Sequence, residues 1–321
     1  DIYIPRVQWT NNANLLSVRK MNRLQNKLEI IHVNANTGEG KTILMEESET
    51  FVDINYCDDL NYLSDGKHFV RTSEKDGFKH VYLHYMDGSL AKQVTNGQWE
   101  VTQFVGYNEK KGDFYYISTE ESPLERHFYV IDSKGKKKEK LSEMKGTNSV
   151  NMSPDFKMYL IYNSNIEKPT TVALYATKKN EKIKVLEDNQ ELTEKLKDYE
   201  ITKTELFDFN TPDGTKLYGW MMKPADFNPA KKYPVLMFVY GGPGSQSVTD
   251  AFGGRNFFWH QMLTQQGYIV VCVDNRGTDG RGAAFKKSTY ANLGKYEVQD
   301  QIDAAKHLSK NDWVDSERIG I

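Results

Sequence analysis

The sequence predicts a partial β-propeller of about four blades, followed by a truncated α/β domain with a doubly wound sheet. Two observations predict this combination. Up to about residue 189, short alternating strands and Gly or Asp turns recur with a period of about 45 residues, the length of a four-stranded propeller blade. After about residue 204, continuous apolar runs replace the alternation, which is typical of strands covered by helices on both faces.

The composition limits the possible partners and chemistry. A length of 321 residues favours two domains, and a net charge of −2 argues against a surface that binds nucleic acid. The two cysteines, Cys57 and Cys272, are too few for a disulfide framework, and Cys272 lies in an apolar run where we expect a buried, unreactive thiol. No apolar run approaches the roughly 18 residues that span a bilayer, so no membrane anchor is visible.

The predicted blades follow one another in the first half. Their strand pairs are 15–18 with 28–33, 62–70 with 80–85, 111–117 with 128–132, and 153–161 with 172–175. Alternation along each strand gives one buried and one wetter face, as an antiparallel blade requires. A β-sandwich has similar strands and remains an alternative, but the sustained period favours the propeller. Because roughly four blades fit before residue 190, we expect this propeller to be incomplete at its front.

The pattern changes at the start of the second half. Residues 189–197 predict a short amphipathic helix, which we interpret as a hinge between domains. Next come a hairpin (204–209 and 217–222) around the turn TPDG (211–214), buried strands at 235–240 and 268–273, and helices at 256–263 and 298–308. The predicted domains are a partial propeller at 1–189, a hinge helix and linker at 190–203, and the start of an α/β domain at 204–321.

The order of these elements favours one fold for the second half. Strand, loop, strand, helix and strand in succession are typical of the opening of an α/β-hydrolase domain. In that fold the nucleophile follows a strand on a sharp turn with the pattern G-x-S-x-G. Here the last strand begins near Arg318, and no such motif has yet appeared. We therefore expect a serine nucleophile encoded just after Ile321.

Three residues at strand ends are candidate site residues. Tyr240 opens the segment YGGPGSQ (240–246) at the carboxyl edge of a predicted buried strand, where its hydroxyl could stabilise an oxyanion. A packed rim residue is the competing interpretation. Asp274 and Arg276 lie where the next strand meets its loop, and the D-x-R-G pattern predicts an ion pair that braces this loop near Tyr240. No histidine lies in metal-ligand spacing, and no metal or cofactor is predicted.

Several motifs together resemble the dipeptidyl peptidase IV branch of the prolyl oligopeptidase family. In the second half they are VYGGPGSQ (239–246), VDNRG (273–277) with GRG (280–282), LGKYEVQD (293–300) and DSERIGI (315–321). In the first half they are GQWEV (97–101) and VLEDN (185–189). The resemblance thus covers nearly the whole chain, and the order and spacing of the motifs make chance agreement a poor explanation.

The resemblance implies a propeller that caps an α/β-hydrolase and a serine peptidase that removes dipeptides ending in Pro or Ala from peptides with a free N-terminus. Tyr240 matches the family tyrosine of the oxyanion hole, and it is the only catalytic residue that can be carried over. The family's serine, aspartate and histidine are expected outside these residues, so the chain alone is expected to be inactive. The family also favours a periplasmic or extracellular location and leaves a homodimer open.

Two acidic pairs invite comparison with the clamp that holds the substrate amine in this family. They are Glu46 with Glu47 and Glu120 with Glu121, but their surroundings lack the family pattern, so we expect solvated loop acids.

Other interpretations of the function of the chain stay open. It could be a non-catalytic propeller module that binds a partner, or part of a tripeptidyl or acylaminoacyl peptidase with the same fold, against which YGGPGSQ argues.

Overall fold

The computed structural model describes residues 1–321, and the strands of the first half form four sheets of four strands each. The first sheet contains β1 Ile2–Trp9, β2 Leu15–Asn22, β3 Lys27–Asn34 and β4 Gly40–Glu47. The second contains β5 Leu60–Tyr62, β6 His68–Ser73, β7 His80–Tyr85 and β8 Leu90–Gln93. The third contains β9 Val101–Asn108, β10 Asp113–Ser118, β11 His127–Asp132 and β12 Lys138–Lys140. The fourth contains β13 Thr147–Met152, β14 Met158–Asn165, β15 Lys168–Ala176 and β16 Glu181–Glu187.

Each of these sheets places its strands in sequence order, as expected for a propeller blade. The predicted alternation is visible in the packing. In the fourth sheet, Tyr159 of β14 pairs with Tyr175 of β15, and their buried rings stack with centroids 5.2 Å apart. The prediction of a partial propeller of four blades is therefore confirmed.

Two compact units make up the chain. One comprises residues 1–116 and 130–139, and the other comprises residues 117–129 and 140–321. The domain limits derived from the sequence follow the change in strand pattern and stay a prediction. The short helix α1, Gln190–Leu196, forms where a hinge helix was predicted.

The second half contains one mixed sheet of five strands, which begins the hydrolase domain. Its strands are β17 Thr204–Asn210, β18 Lys216–Met222, β19 Tyr233–Phe238, β20 Ile269–Asp274 and β21 Val314–Gly320, in the spatial order β17-β18-β20-β19-β21. β17 and β18 form the predicted hairpin, whose turn closes with the Thr211 amide donating to the Thr215 carbonyl. β19 runs parallel to both β20 and β21.

Helices cover both faces of this sheet. They are α2 Phe257–Gln265, the short α3 Ala283–Lys286 and α4 Lys295–Leu308. Along the fully buried β20, Val271 faces a core that includes Leu308 of α4, whereas Val270 faces a core that includes Phe257 of α2. This explains the continuous apolar run, because neither face of the strand meets water. None of the helices has the length and apolarity needed to cross a bilayer.

One expectation for the first half is wrong. Glu46 is not a solvated loop acid, since it lies buried in β4, where it is paired with Arg71 and accepts a hydrogen bond of 2.9 Å from the Ser73 hydroxyl. Its neighbour Glu47 is exposed and paired with Lys27 at 3.0 Å. The difference follows from the strand period, because successive side chains point to opposite faces.

Candidate active site

Tyr240 lies two residues beyond the end of β19 and is 72% exposed. Its ring lies against the backbone of Gly242, where a Cβ atom would come within 2.9 Å of the ring carbon Cε1. A larger residue at 242 would therefore displace the ring. The phenol is thus held at the carboxyl edge of the sheet without being buried, which is the position that the oxyanion hypothesis requires.

The carboxyl ends of β19 and β21 face a cavity of about 560 Å³. Tyr240 lines it together with Asn275, with Gln301 of α4, with Ile319 near the end of β21 and with Ile321 just after that strand. In open α/β sheets, ligands bind outside this edge of the sheet. The cavity therefore places Tyr240 beside the carboxyl end of β21.

Hydrogen bonds join the loop after Tyr240 to the loop after β20. The Gly244 amide donates to the Gly277 carbonyl at 2.9 Å, and the Asp279 amide donates to the Ser245 carbonyl at 2.7 Å. Within the first loop, the Ser245 hydroxyl donates to the Gly242 carbonyl at 2.6 Å. The two loops therefore form one braced unit around Tyr240.

Asp274 braces this unit through backbone amides. Its carboxylate accepts hydrogen bonds from the Ser247 amide at 3.0 Å and from the Val248 amide at 2.8 Å. Burial raises the pKa of Asp274 to about 6, while these two amides act in the opposite direction. Asp274 is therefore a structural acceptor for the segment that follows YGGPGSQ.

Arg276 has a different partner from the predicted one. Its guanidinium pairs with Asp300 of α4 at 2.6 Å and with Asp213 of the β17–β18 turn at 2.8 Å, and it stacks on the Tyr296 ring at 4.2 Å. The Asp300 hydrogen bonds are the largest cause of the raised pKa of Arg276. The predicted ion pair between Asp274 and Arg276 is therefore wrong. Both residues brace loops, but with partners elsewhere in the chain.

The segment just before β11 also contacts this region. The Arg126 guanidinium donates to the Gln246 side-chain oxygen, and the Asp250 amide donates to the Leu124 carbonyl at 2.8 Å. The Asp250 carboxylate in turn accepts a hydrogen bond of 2.9 Å from the Ile166 amide. No local sequence pattern indicates these contacts, since the residues that meet lie 84 to 126 positions apart.

Two other residues of the site were missed but carried a recognisable signal. Asp300 and Gln301 are polar, yet they lie on the side of α4 that also buries Ala304 and Leu308. A polar residue at helical spacing from buried apolar ones needs a hydrogen-bond partner, so it marks a specific contact. Attention to that pattern would have identified both residues as candidates.

Comparisons with known proteins agree with this architecture. Residues 1–191 match the family model of the dipeptidyl peptidase IV N-terminal region, and residues 255–321 match that of the prolyl oligopeptidase family. The crystal structure of Porphyromonas gingivalis dipeptidyl peptidase 4 is similar over 100% of this chain and 45% of that one, with 40% identity and a TM-score of 0.95.

Curated relatives show the same similarity. The dipeptidyl peptidase 4 of Trichophyton equinum and that of Trichophyton rubrum are each 32% identical over 333 residues, which cover 100% of this chain and 42% of theirs. The chain thus spans less than half the length of these relatives. Together, the matched family models, the four-stranded sheets and the mixed sheet that follows them show that the chain belongs to the dipeptidyl peptidase IV branch of the prolyl oligopeptidase family.

Proposed function

We propose that the protein containing this chain is a serine-type dipeptidyl peptidase that releases N-terminal dipeptides with Pro or Ala at the second position. The relatives named dipeptidyl peptidase 4 support this activity. The nucleophilic serine, the histidine that moves its proton and the aspartate that orients the histidine would lie outside residues 1–321.

The observation that carries the proposal is the position of Tyr240. The phenol is exposed on a cavity at the carboxyl edge of the sheet, and the end of β21 lines the same cavity. When a serine attacks the carbonyl carbon of the second residue, the carbonyl oxygen becomes an oxyanion. Tyr240 would donate its hydroxyl proton in a hydrogen bond to that oxygen, alongside a backbone amide that follows the nucleophile.

The proposal is tested with Tyr240→Phe in the full-length protein. Loss of one oxyanion donor lowers turnover by about 100- to 1000-fold, so kcat on a Gly-Pro-anilide should fall by about that factor. Tyr268→Phe is the matched control, because Tyr268 is a partly exposed tyrosine immediately before β20, at the opposite end of that strand from its loop. A decrease of less than about threefold for Tyr240→Phe would remove Tyr240 from the mechanism.

The substrate class needs a separate measurement. Gly-Pro-anilide and its N-acetylated form differ only in the free amine that a dipeptidyl peptidase is expected to require. We expect the acetylated compound to be cleaved at least about 100-fold more slowly, because a buried partner of the amine would be left unpaired. Equal rates would instead indicate a peptidase of the acylaminoacyl type.

A further inference from the structure

We infer that Asn275 and Gln301 are positioning residues for the reaction, which set the place of the Tyr240 hydroxyl through the backbone of Gly241. This inference rests on the proposed function, since it assigns the two amides a role only through Tyr240. Neither side chain is expected to touch the reacting atoms. Hydrogen bonds connect Gln301 of α4 to Asn275, and Asn275 to the Gly241 carbonyl. The phenol ring lies against the next residue of that backbone segment.

The contact with the Tyr240 loop is made by Asn275. Its side chain is fully buried and donates hydrogen bonds to the Gly241 carbonyl at 3.1 Å and to the Arg276 carbonyl at 2.7 Å. Gly241 has a positive φ of 60°, and a Cβ atom there would lie 2.3 Å from Asn275 Oδ1. The loop and the amide are therefore in close contact, and the direction of the Gly241 carbonyl is fixed by a specific donor.

That carbonyl belongs to the peptide group that joins Gly241 to Gly242. The Tyr240 ring lies against Gly242, as shown by the 2.9 Å approach of its Cε1 atom to a Cβ built there. A rotation of this peptide group would therefore move the surface on which the phenol rests. Asn275 acts on Tyr240 through this backbone segment and not by direct contact.

Gln301 determines which way the Asn275 amide points. Gln301 Nε2 donates to Asn275 Oδ1 at 3.1 Å and to the Val273 carbonyl at 3.0 Å. Because Asn275 Oδ1 receives this hydrogen bond, the Asn275 amino group is left to face the Gly241 and Arg276 carbonyls. Both amides are buried, so an incorrect orientation would leave donors and acceptors unpaired at a cost of about 1–3 kcal/mol each.

The isosteric acids test this arrangement. Asn275→Asp replaces the donating amino group with an oxygen that faces two carbonyl oxygens, and Gln301→Glu does the same towards Asn275 Oδ1 and Val273. Each change should displace the Gly241 carbonyl without altering side-chain volume. A displacement of about 1 Å in a catalytic group can cost about 100-fold in rate, so we expect kcat to fall by about 10- to 100-fold while KM changes by less than about threefold.

The decisive measurement is a double-mutant cycle in the full-length protein. Asn275→Asp is introduced both into the wild-type protein and into the Tyr240→Phe variant. The kcat on Gly-Pro-anilide is then measured for wild type, the two single variants and the double variant. If Asn275 acts through the hydroxyl, its change should cost less than about threefold once that hydroxyl is gone. Asn292→Asp, a change of the same kind at an exposed residue, is the matched control and should leave kcat unchanged.

The outcomes separate the two proposals. An equal loss from Asn275→Asp in both backgrounds would overturn the positioning role and leave the oxyanion role of Tyr240 intact. A decrease in kcat of less than about threefold for Asn275→Asp in the wild-type background would also overturn the positioning role. If Tyr240→Phe itself has no effect on kcat, the oxyanion role of Tyr240 and this inference both fail, while the substrate class is still decided by the comparison of free and acetylated Gly-Pro-anilide. Should Asn275→Asp fail to fold, the same cycle with Gln301→Glu decides by the same criteria.

Discussion

Arg276 and Asp300 form a forked ion pair between the loop after β20 and helix α4. The Nη2 and Nε atoms of Arg276 lie 2.6 Å and 3.0 Å from Asp300 Oδ1, and the Arg276 backbone amide donates to Oδ2 at 2.7 Å. Asp300 is fully buried. The carboxylate therefore receives enough donors to offset its loss of water, and the loop is fixed to the helix at two points.

Removal of this carboxylate should destabilise the protein strongly. Asp300→Ala leaves a largely buried guanidinium with only its exposed partner Asp213, so the free energy of unfolding should fall by about 3–5 kcal/mol. Glu191→Ala is the control, because Glu191 pairs with Lys195 on the surface of α1, where such a pair contributes about 0–1 kcal/mol. Urea unfolding measures both changes, and equal losses would contradict the structural role of the buried pair.

Asp274 should make stability depend on pH in a defined direction. Its folded pKa of about 6 lies above the unfolded value of about 3.9, so the proton is bound more tightly in the folded state. The stabilisation of the folded state by this bound proton is fully present below about pH 4 and is lost as the pH rises through 6. Asp274→Asn cannot titrate. The stability difference between wild type and variant should therefore change by about 2–3 kcal/mol between pH 4 and pH 7, with wild type losing relative stability.

The control for this experiment is an exposed carboxylate. Asp226→Asn, measured by urea unfolding at the same pH values, should show a nearly constant difference from wild type, since Asp226 lies on the surface. A constant difference for Asp274→Asn as well would show that the buried carboxyl keeps an ordinary pKa in the folded protein.

Gly241 should tolerate alanine less well than another glycine with a positive φ. Gly214 has a φ of 84° with open space where a Cβ would lie, so Gly214→Ala measures only backbone strain of about 1–2 kcal/mol. Gly241→Ala adds a clash with Asn275 Oδ1 at 2.3 Å, and we expect about 1–3 kcal/mol of further destabilisation together with a lower kcat. Urea unfolding and turnover are measured for both, and equal effects would argue against close contact at Gly241.

Cys272 should be unreactive in the folded protein. The thiol is buried in β20, and burial, with a smaller effect of nearby Asp274, raises its pKa well above the usual range. Iodoacetamide should label it only after unfolding in urea, as followed by mass spectrometry of the peptide that contains Cys272. Rapid labelling under native conditions would show that β20 opens or is more exposed than the structure indicates.

Local patterns accounted for most of the fold. The turn at 211–214, the short helix α1 and the buried β20 were each predicted from residues close together in the chain, because turn chemistry and hydrophobic period act locally. The helix limits were less accurate. α4 begins at Lys295, one turn before the predicted start, with the Gly294 amide donating to the Glu297 carboxylate at 3.0 Å. That cap contains no apolar periodicity and so was not recognised.

The site was predicted only in part. Tyr240 could be located at an exposed sheet edge because it directly follows an apolar run that had to be a buried strand. The partner of Arg276 could not be predicted, since a side chain in the turn after a strand has no fixed direction, and its partner lies 24 residues further along the chain. The pair between Glu46 and Arg71 was also missed, because the two residues lie 25 positions apart in different strands.

By itself, the sequence determined the kinds of elements, their order and the edge of the sheet at which Tyr240 lies, because these depend on periodicity and on chain neighbours. Only the tertiary structure decided that Asp274 holds backbone amides, that Arg276 holds Asp300, and that Asn275 lies against Gly241. Those contacts depend on how a helix and two loops pack together. Buried charges and amides form hydrogen bonds with the partners that packing brings within reach. Separation along the chain does not determine which residues these partners are.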